Sequence, residues 1–158
     1  MNKEDEGNKM SMRRMLLIWS LFFWGIQSAT SASGELAIIV NNTNDIQSVS
    51  VDEVARIFLG KTRELPDGTK VIPLDQLESV GLKEEFYSKV VKKSLPQLNS
   101  YWSRLIFTGR GQPPFAVSGD SEVLEFISAN PNMIGYVDVK SLQSAQNLGN
   151  VKVLLTVQ

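Results

Sequence analysis

The chain has 158 residues, a hydrophobic fraction of 42%, a charged fraction of 21% and a formal net charge of −1. These values are ordinary for one folded domain, and a charge so close to zero gives no general attraction to nucleic acid. The sequence contains neither cysteine nor histidine, which excludes disulfides, thiolate metal sites and any mechanism that uses a thiol or an imidazole.

Residues 1–33 have the pattern of a secretory signal peptide. Two arginines precede an apolar run over residues 15–26, and small residues follow the run. The run is short for a membrane span, and the basic, apolar, small-residue order is typical of exported proteins. We therefore predict cleavage after Ala32 or Ser33, a folded domain over residues 34–158, and location in the periplasm.

Two alternatives stay open for this segment. Residues 4–6 are acidic, which is unusual for a signal peptide, so translation could begin at Met10 or Met12. The segment could also remain uncleaved as an anchor, which would be the only predicted contact of the chain with a membrane.

The first half of the domain alternates between strand and helix signals. The apolar run at residues 36–40 predicts a strand that is buried on both faces. Ser50 and Glu53 have the spacing of a capping box, which predicts a helix that Gly60 ends. Residues 65–68 predict a turn, residues 70–74 a second strand and residues 75–79 a polar loop.

The second half is richer in helix signals. An apolar stripe with a spacing of four residues predicts a helix through Phe86, with Lys83 facing water. Pro96 opens the next helix, and residues 107–115 predict an irregular loop. A further helix, a strand at residues 134–137, a short helical segment near residue 140 and a strand at residues 151–157 complete the order. Such an order predicts an α/β fold with helices around a mixed sheet.

Four short motifs carry a resemblance to a known family. They are Ile-Phe-Leu-Gly-Lys at residues 57–61, Pro-Asp-Gly at 66–68, Tyr-Trp with Phe-Thr-Gly at 101–109, and Ile-Gly-Tyr-Val at 134–137. In this order the chain resembles small periplasmic proteins related to the phosphate ABC-transporter substrate-binding proteins, which have the type II periplasmic-binding-protein fold. The resemblance covers most of the domain and implies a single compact lobe, similar to the later lobe of two-lobed relatives. It also implies non-enzymatic binding of a solute.

The phosphate loop of that family departs most strongly from its pattern here. The family has an arginine followed by Ser-Gly-Thr at a helix start, whereas this chain has Asp75 at the arginine position and Ser-Val-Gly at residues 79–81. An aspartate repels the anion that an arginine would bind. The resemblance therefore leaves Ser79 and Gly81 as candidate donors to an oxyanion or other small polar ligand, with Asp75 able to favour a cationic group. The alternative is a loop that only caps the helix.

Three other residues are weaker candidates for ligand binding. Asn41 and Asn42 follow the first predicted strand, where open α/β sheets often bind ligands. Arg110 lies between two glycines, which could form an anion loop. The alternative for the Arg110 segment is an ordinary bend between elements.

Enzyme patterns are missing from the sequence. No serine and lysine stand in a nucleophile motif, the paired acidic residues fall on predicted helix surfaces, and no acidic cluster has a calcium-loop pattern. We therefore predict no catalytic residue, no metal and no cofactor. A second hypothesis is a ligand-free module on the same fold that interacts with another protein of the cell envelope.

Overall fold

A computed structural model describes residues 34–77, 79–144 and 150–158. The predicted signal peptide lies outside these residues. Among the helices of the described part, none has the length and apolar character needed to cross a membrane.

Five strands and five helices make up the described domain. The strands are β1 (Leu36–Asn41), β2 (Ile72–Gln76), β3 (Phe115–Val117), β4 (Met133–Asp138) and β5 (Val151–Val157). The helices are α1 (Val51–Phe58), α2 (Val80–Phe86), α3 (Leu95–Phe107), α4 (Asp120–Ala129) and α5 (Val139–Ser144). A π-helix over Tyr87–Val91 continues α2.

The strands form one mixed sheet in the order β3-β2-β4-β1-β5. β2 runs parallel to both β3 and β4, whereas β1 runs antiparallel to both β4 and β5. The predicted α/β class with a mixed sheet and flanking helices is confirmed.

β1 lies between β4 and β5, and all six of its residues are buried. Leu36, Ile38 and Val40 belong to a core cluster formed with α1, the α2 region and α3. Ala37 and Ile39 belong to a second cluster formed with α4 and α5. The sheet therefore has helices on both faces, and the predicted doubly buried strand is confirmed.

The predicted helix ends follow local side-chain chemistry. The Ser50 hydroxyl accepts a hydrogen bond from the Glu53 N–H at 3.3 Å, and the Glu53 carboxylate accepts one from the Ser50 N–H at 2.7 Å. Ser94 and Gln97 form the same reciprocal cap at α3. Gly60 takes a φ of +65°, which glycine adopts without the strain of a side chain, and the chain leaves α1 there.

One boundary prediction is wrong, and one short strand is missing from the prediction. β2 lies two residues later than predicted, so residues 75 and 76 belong to the strand and the loop begins after them. The polar character of these two residues argued against a strand, but Tyr136 and Lys83 bind the Asp75 carboxylate, and Asp120 binds the side-chain amide nitrogen of Gln76. The loop predicted over residues 107–115 is confirmed for residues 108–114, but the strand β3 that begins at Phe115 was not predicted. A three-residue strand beside two prolines is too short to give an alternating pattern.

Candidate functional site

The carboxyl ends of β2, β3 and β4 share one edge of the sheet because the three strands are parallel. α2 and α4 begin at the same edge. Ser79 precedes α2, and its hydroxyl oxygen lies 3.5 Å from the position that a Cβ on Gly119, before α4, would take. Two helix N-termini thus meet beside three strand ends, which is where open α/β sheets commonly bind ligands. We call this the carboxyl edge.

Asp75 is buried at the carboxyl edge, and both of its carboxylate oxygens have partners. Oδ1 accepts hydrogen bonds from the Tyr136 hydroxyl at 2.7 Å and from the Gln76 N–H at 3.0 Å. Oδ2 forms an ion pair with Lys83 at 2.7 Å. The expectation that Lys83 faces water is wrong, because the buried carboxylate draws its ammonium group inward. The charge of Asp75 is therefore compensated within the protein.

Two tyrosines, Tyr87 and Tyr136, lie near the Asp75 carboxylate. Burial raises the pKa of Tyr136 far above its ordinary value, and the negative charge of Asp75 raises it further. Burial is also the main cause that raises the pKa of Tyr87, and the negative charge of Asp75 is the second. The Tyr87 hydroxyl, however, has no hydrogen-bond partner among the described residues. Both hydroxyl groups therefore resist ionisation as the pH rises.

Gln76 lies next to Asp75 in the chain and points to the opposite face of the sheet. Its side-chain amide donates to the carboxylate of Asp120 at 2.6 Å and to the carbonyl oxygen of Tyr136 at 2.7 Å. The second oxygen of Asp120 accepts from the Asp138 N–H at 3.1 Å. These two acceptors fix the orientation of the Gln76 amide group and leave its carbonyl oxygen buried without a partner in the described part of the chain.

Sequence reasoning missed Gln76. Because residues 75–79 were predicted as a loop, Gln76 was not considered as a site residue, although one feature of the sequence pointed to it. A polar residue at the carboxyl end of a buried apolar strand lies where ligands often bind in this fold class.

The first turn of α2 has no side-chain cap from Ser79. Its hydroxyl forms no capping hydrogen bond, and it is only partly exposed. Gly81 is exposed, and a Cβ added there would meet no heavy atom within 4 Å. The structure thus brings Asp75, Ser79 and Gly81 to one edge, as the sequence interpretation requires, but whether they bind a ligand stays a prediction.

Asn41, Asn42 and Arg110 do not lie at this edge. Because β1 is antiparallel to β4, its end at Asn41 lies at the amino end of β4. Arg110 lies in the loop that leads into the amino end of β3. The six predicted residues therefore do not form one site.

The side chain of Asn41 is engaged inside the protein. Its amide nitrogen donates to the carbonyl oxygens of Ile127 at 2.8 Å and Ser128 at 3.0 Å, near the end of α4. Its oxygen accepts from the N–H and the hydroxyl of Thr43. Asn42 is exposed, and its backbone N–H donates to the carbonyl of Asn150 at 3.0 Å. Asn41 thus closes the last turn of α4.

Metal binding finds no support in the described ranges. Across residues 34–77, 79–144 and 150–158, no three acidic side chains are placed to hold an ion together.

Comparison with known proteins gives a fold relationship. The sequence matches no known protein-family model and no curated protein. Among solved structures, an ABC-type phosphate transport receptor from Vibrio cholerae matches with a TM-score of 0.56 at 16% identity, over 77% of this chain and 46% of that chain. PstS from Borrelia burgdorferi matches with a TM-score of 0.57 at 16% identity, over 77% of this chain and 47% of that chain.

This chain has the fold of part of a phosphate substrate-binding protein. A putative phosphate ABC-transporter substrate-binding protein from Clostridium perfringens, solved with bound phosphate, matches with a TM-score of 0.50 at 16% identity, over 66% of this chain and 40% of that chain. The chain spans less than half the length of each of these three structures. The resemblance predicted from the four motifs is confirmed for the fold, as a single lobe.

Proposed function

We propose that this chain is a non-enzymatic, periplasmic binding protein that holds a small polar solute at the carboxyl edge. The observation that carries the proposal is the buried side-chain oxygen of Gln76, which has no donor among the described residues. A buried acceptor without a donor costs about 1–3 kcal/mol. Because Gln76 has no exposed surface, a solute would recover part of this free energy only if the edge opens enough for the solute to donate a hydrogen bond to that oxygen.

Charge at the carboxyl edge restricts the class of solute. The partial positive charge at a helix N-terminus attracts oxygen ligands, and two such termini meet there. The carboxylate of Asp120, which holds the Gln76 amide, repels a fully ionised anion. An oxyanion that still carries a proton, or another small polar solute with a hydroxyl group, satisfies both conditions. The phosphate ligand of the solved relative from Clostridium perfringens supports the oxyanion class.

Affinity is expected to be low. A single lobe contacts a solute from one side, whereas a site with walls on both sides excludes water and adds donors. We expect a dissociation constant on the order of 1 mM, which corresponds to about −4 kcal/mol.

Calorimetric titration of the full chain tests this proposal. Phosphate at mildly acidic pH carries protons and sulfate carries none, so we expect phosphate to bind more tightly than sulfate. Gln76→Leu should weaken phosphate binding at least about tenfold, the effect of losing about 1.4 kcal/mol. Gln143→Leu, at an exposed position of α5, is the matched control.

Several outcomes would reject the proposal. An absence of heat with phosphate, sulfate and small polyols would remove the solute-binding function. Equal binding of phosphate and sulfate would remove the role of the Gln76 oxygen as an acceptor. Circular dichroism of both variants must show the wild-type fold for either result to be interpreted.

The second candidate function is a ligand-free interaction module of the envelope. It is favoured by Asp75, since Tyr136, Gln76 and Lys83 already occupy its carboxylate. The same titration separates the two candidates. The module would be favoured if no solute gives heat in the titration and the chain captures a specific envelope protein in a pull-down.

Export to the periplasm has its own test. N-terminal sequencing of the protein recovered from the periplasm should begin at Ser33 or Gly34. Retention of residues 15–26 in a membrane fraction would support an uncleaved anchor instead.

A further inference from the structure

A concave surface lies away from the carboxyl edge, around the amino end of β2. It is a cavity of about 210 Å³ between α1, α3 and the loop that leads into β3. We call it the amino-edge groove, and its main lining residues are Ile57, Arg63, Ile72, Trp102, Pro114 and Phe115.

The size of the groove favours a side chain over a whole solute. Sites for small molecules usually measure roughly 300–1,000 Å³. A groove of about 210 Å³ is below that range and suits one large apolar side chain. At its rim, Ile72 is 42% exposed and Phe115 is 54% exposed. Exposed apolar residues beside a pocket are the usual setting of an anchor residue from a protein partner.

The charge of Arg63 sets a second requirement for any molecule that binds in the groove. Arg63 is the one charged residue among those that line it, and it is exposed. No acidic side chain of the described residues pairs with its guanidinium group. An arginine at an apolar surface binds a carboxylate through two parallel hydrogen bonds and more strongly than in open water. The occupant should therefore carry a carboxylate near its apolar group.

The edge strand supplies a third feature. β3 pairs with β2 on one side and is the last strand of the described sheet on the other. The Val117 carbonyl accepts from the Leu77 N–H, so Val117 points its backbone groups toward β2 and Ala116 points them outward. Phe115 lines the groove and begins this strand. An extended segment that pairs with the free edge of β3 can therefore continue into the groove.

We propose that the amino-edge groove docks an extended segment of another protein, in which a large apolar side chain fills the cavity and a nearby Asp or Glu pairs with Arg63. The segment adds backbone hydrogen bonds at Ala116. This docking surface is separate from the carboxyl edge, so the proposal does not depend on solute binding.

Selection from a displayed random heptapeptide library against the full chain tests the proposal. We expect enriched peptides to combine an aromatic residue or leucine with an acidic residue one to three positions away. Arg63→Glu should reverse the charge preference, so that peptides with lysine or arginine replace the acidic ones. The matched control is Lys140→Glu, which makes the same charge change at an exposed position of α5 and should leave the acidic preference intact.

Binding of the most enriched peptide, synthesised and labelled, gives the magnitude. Arg63→Gln should weaken the affinity for this peptide at least about tenfold. Replacing the acidic residue of the peptide with its amide should weaken the affinity by the same factor. Combining the two changes should cause no further loss of affinity. Enrichment without an acidic preference, an identical preference in Arg63→Glu, or no enrichment above background would overturn the proposal. Dimerisation of the chain that Arg63→Gln abolishes would overturn it in favour of a second copy as the occupant.

Discussion

The hydroxyl of Tyr136 donates a 2.7 Å hydrogen bond to the carboxylate of Asp75, and this bond joins β4 to β2. The backbone pairing of the two strands covers only Ile72 with Met133 and Pro73 with Ile134. Beyond that pairing, side chains hold the strands together at the carboxyl edge. The hydrogen bond between Tyr136 and Asp75 is therefore a structural part of the site, and its removal should be measurable as a loss of stability.

Replacing Tyr136 with phenylalanine should destabilise the protein by about 1.5–3 kcal/mol, the usual value of a hydrogen bond to a charged group. The variant keeps the ring that stacks on Phe86 at a centroid distance of 4.0 Å. The loss is therefore attributable to the hydroxyl. Urea unfolding monitored by circular dichroism gives the free energy of unfolding.

Tyr101→Phe is the matched control for this variant. The Tyr101 hydroxyl also donates at 2.7 Å, but its acceptor is the neutral carbonyl oxygen of Leu59. We expect a loss of about 0.5–1.5 kcal/mol. Equal losses in the two variants would mean that the charge of Asp75 adds nothing to its hydrogen bond with Tyr136.

Tyr87→Phe should behave differently from both. The Tyr87 hydroxyl is buried near the Asp75 carboxylate but forms no hydrogen bond of normal geometry with the described residues, so its removal eliminates a desolvation cost and gives up at most a weak contact. We expect the free energy of unfolding at neutral pH to stay unchanged or to rise by up to about 1 kcal/mol. A loss as large as that of Tyr136→Phe would show that the hydroxyl bonds to Asp75 in solution.

Alkaline pH should destabilise the wild-type protein more steeply than the variants Tyr87→Phe and Tyr136→Phe. Burial, and secondarily the charge of Asp75, raise the pKa values of Tyr87 and Tyr136 above the ordinary value of 10.0. Below that pH both states hold the protons. Above it the unfolded chain releases them and the folded chain retains them, so the free energy of unfolding falls as pH rises.

Each tyrosine contributes a slope of about 1.4 kcal/mol per pH unit in that range. Tyr87→Phe should make the slope shallower by that amount, and combining it with Tyr136→Phe should remove the contribution of both. Urea unfolding at a series of pH values above 10.0 measures the slope. An identical slope in the wild-type protein and the double variant would contradict the proposed burial of these hydroxyls.

Much of the fold could be predicted because its signals are local. The capping box of Ser50 and Glu53 and the apolar run of β1 depend on residues that are close in sequence, and both are confirmed. β3 was missed because its three residues are held by pairing with β2, about 40 positions earlier in the chain. Local pattern carries no information on such pairing.

The candidate site was only partly predictable for the same reason. Asp75 and Gln76 look like loop residues by their polarity, and their places in β2 depend on partners such as Tyr136 and Asp120 that are distant in sequence. Asn41 was assigned to the wrong edge because a single sequence does not give the direction of β1 in the sheet. Strand direction is settled by long-range packing, which no spacing rule records.

Two glycines offer a final prediction that separates folding from ligand binding. Gly135 lies in β4 beneath α4, where an added Cβ would come within 2.7 Å of a Val123 methyl carbon and 3.1 Å of an Ile127 methyl carbon. Gly135→Ala should therefore destabilise by about 1–3 kcal/mol, the cost of overpacking a filled core.

Gly81→Ala is the opposite case. Gly81 lies in α2, and a Cβ there meets no heavy atom within 4 Å, so alanine should stabilise the helix by about 0.5–1 kcal/mol. If a solute binds the first-turn N–H groups of α2, the new methyl group crowds it, and phosphate affinity should fall while the free energy of unfolding rises. Thermal unfolding and calorimetric titration of the same variant measure the two effects. A stabilised variant with wild-type phosphate affinity would place the solute away from the start of α2.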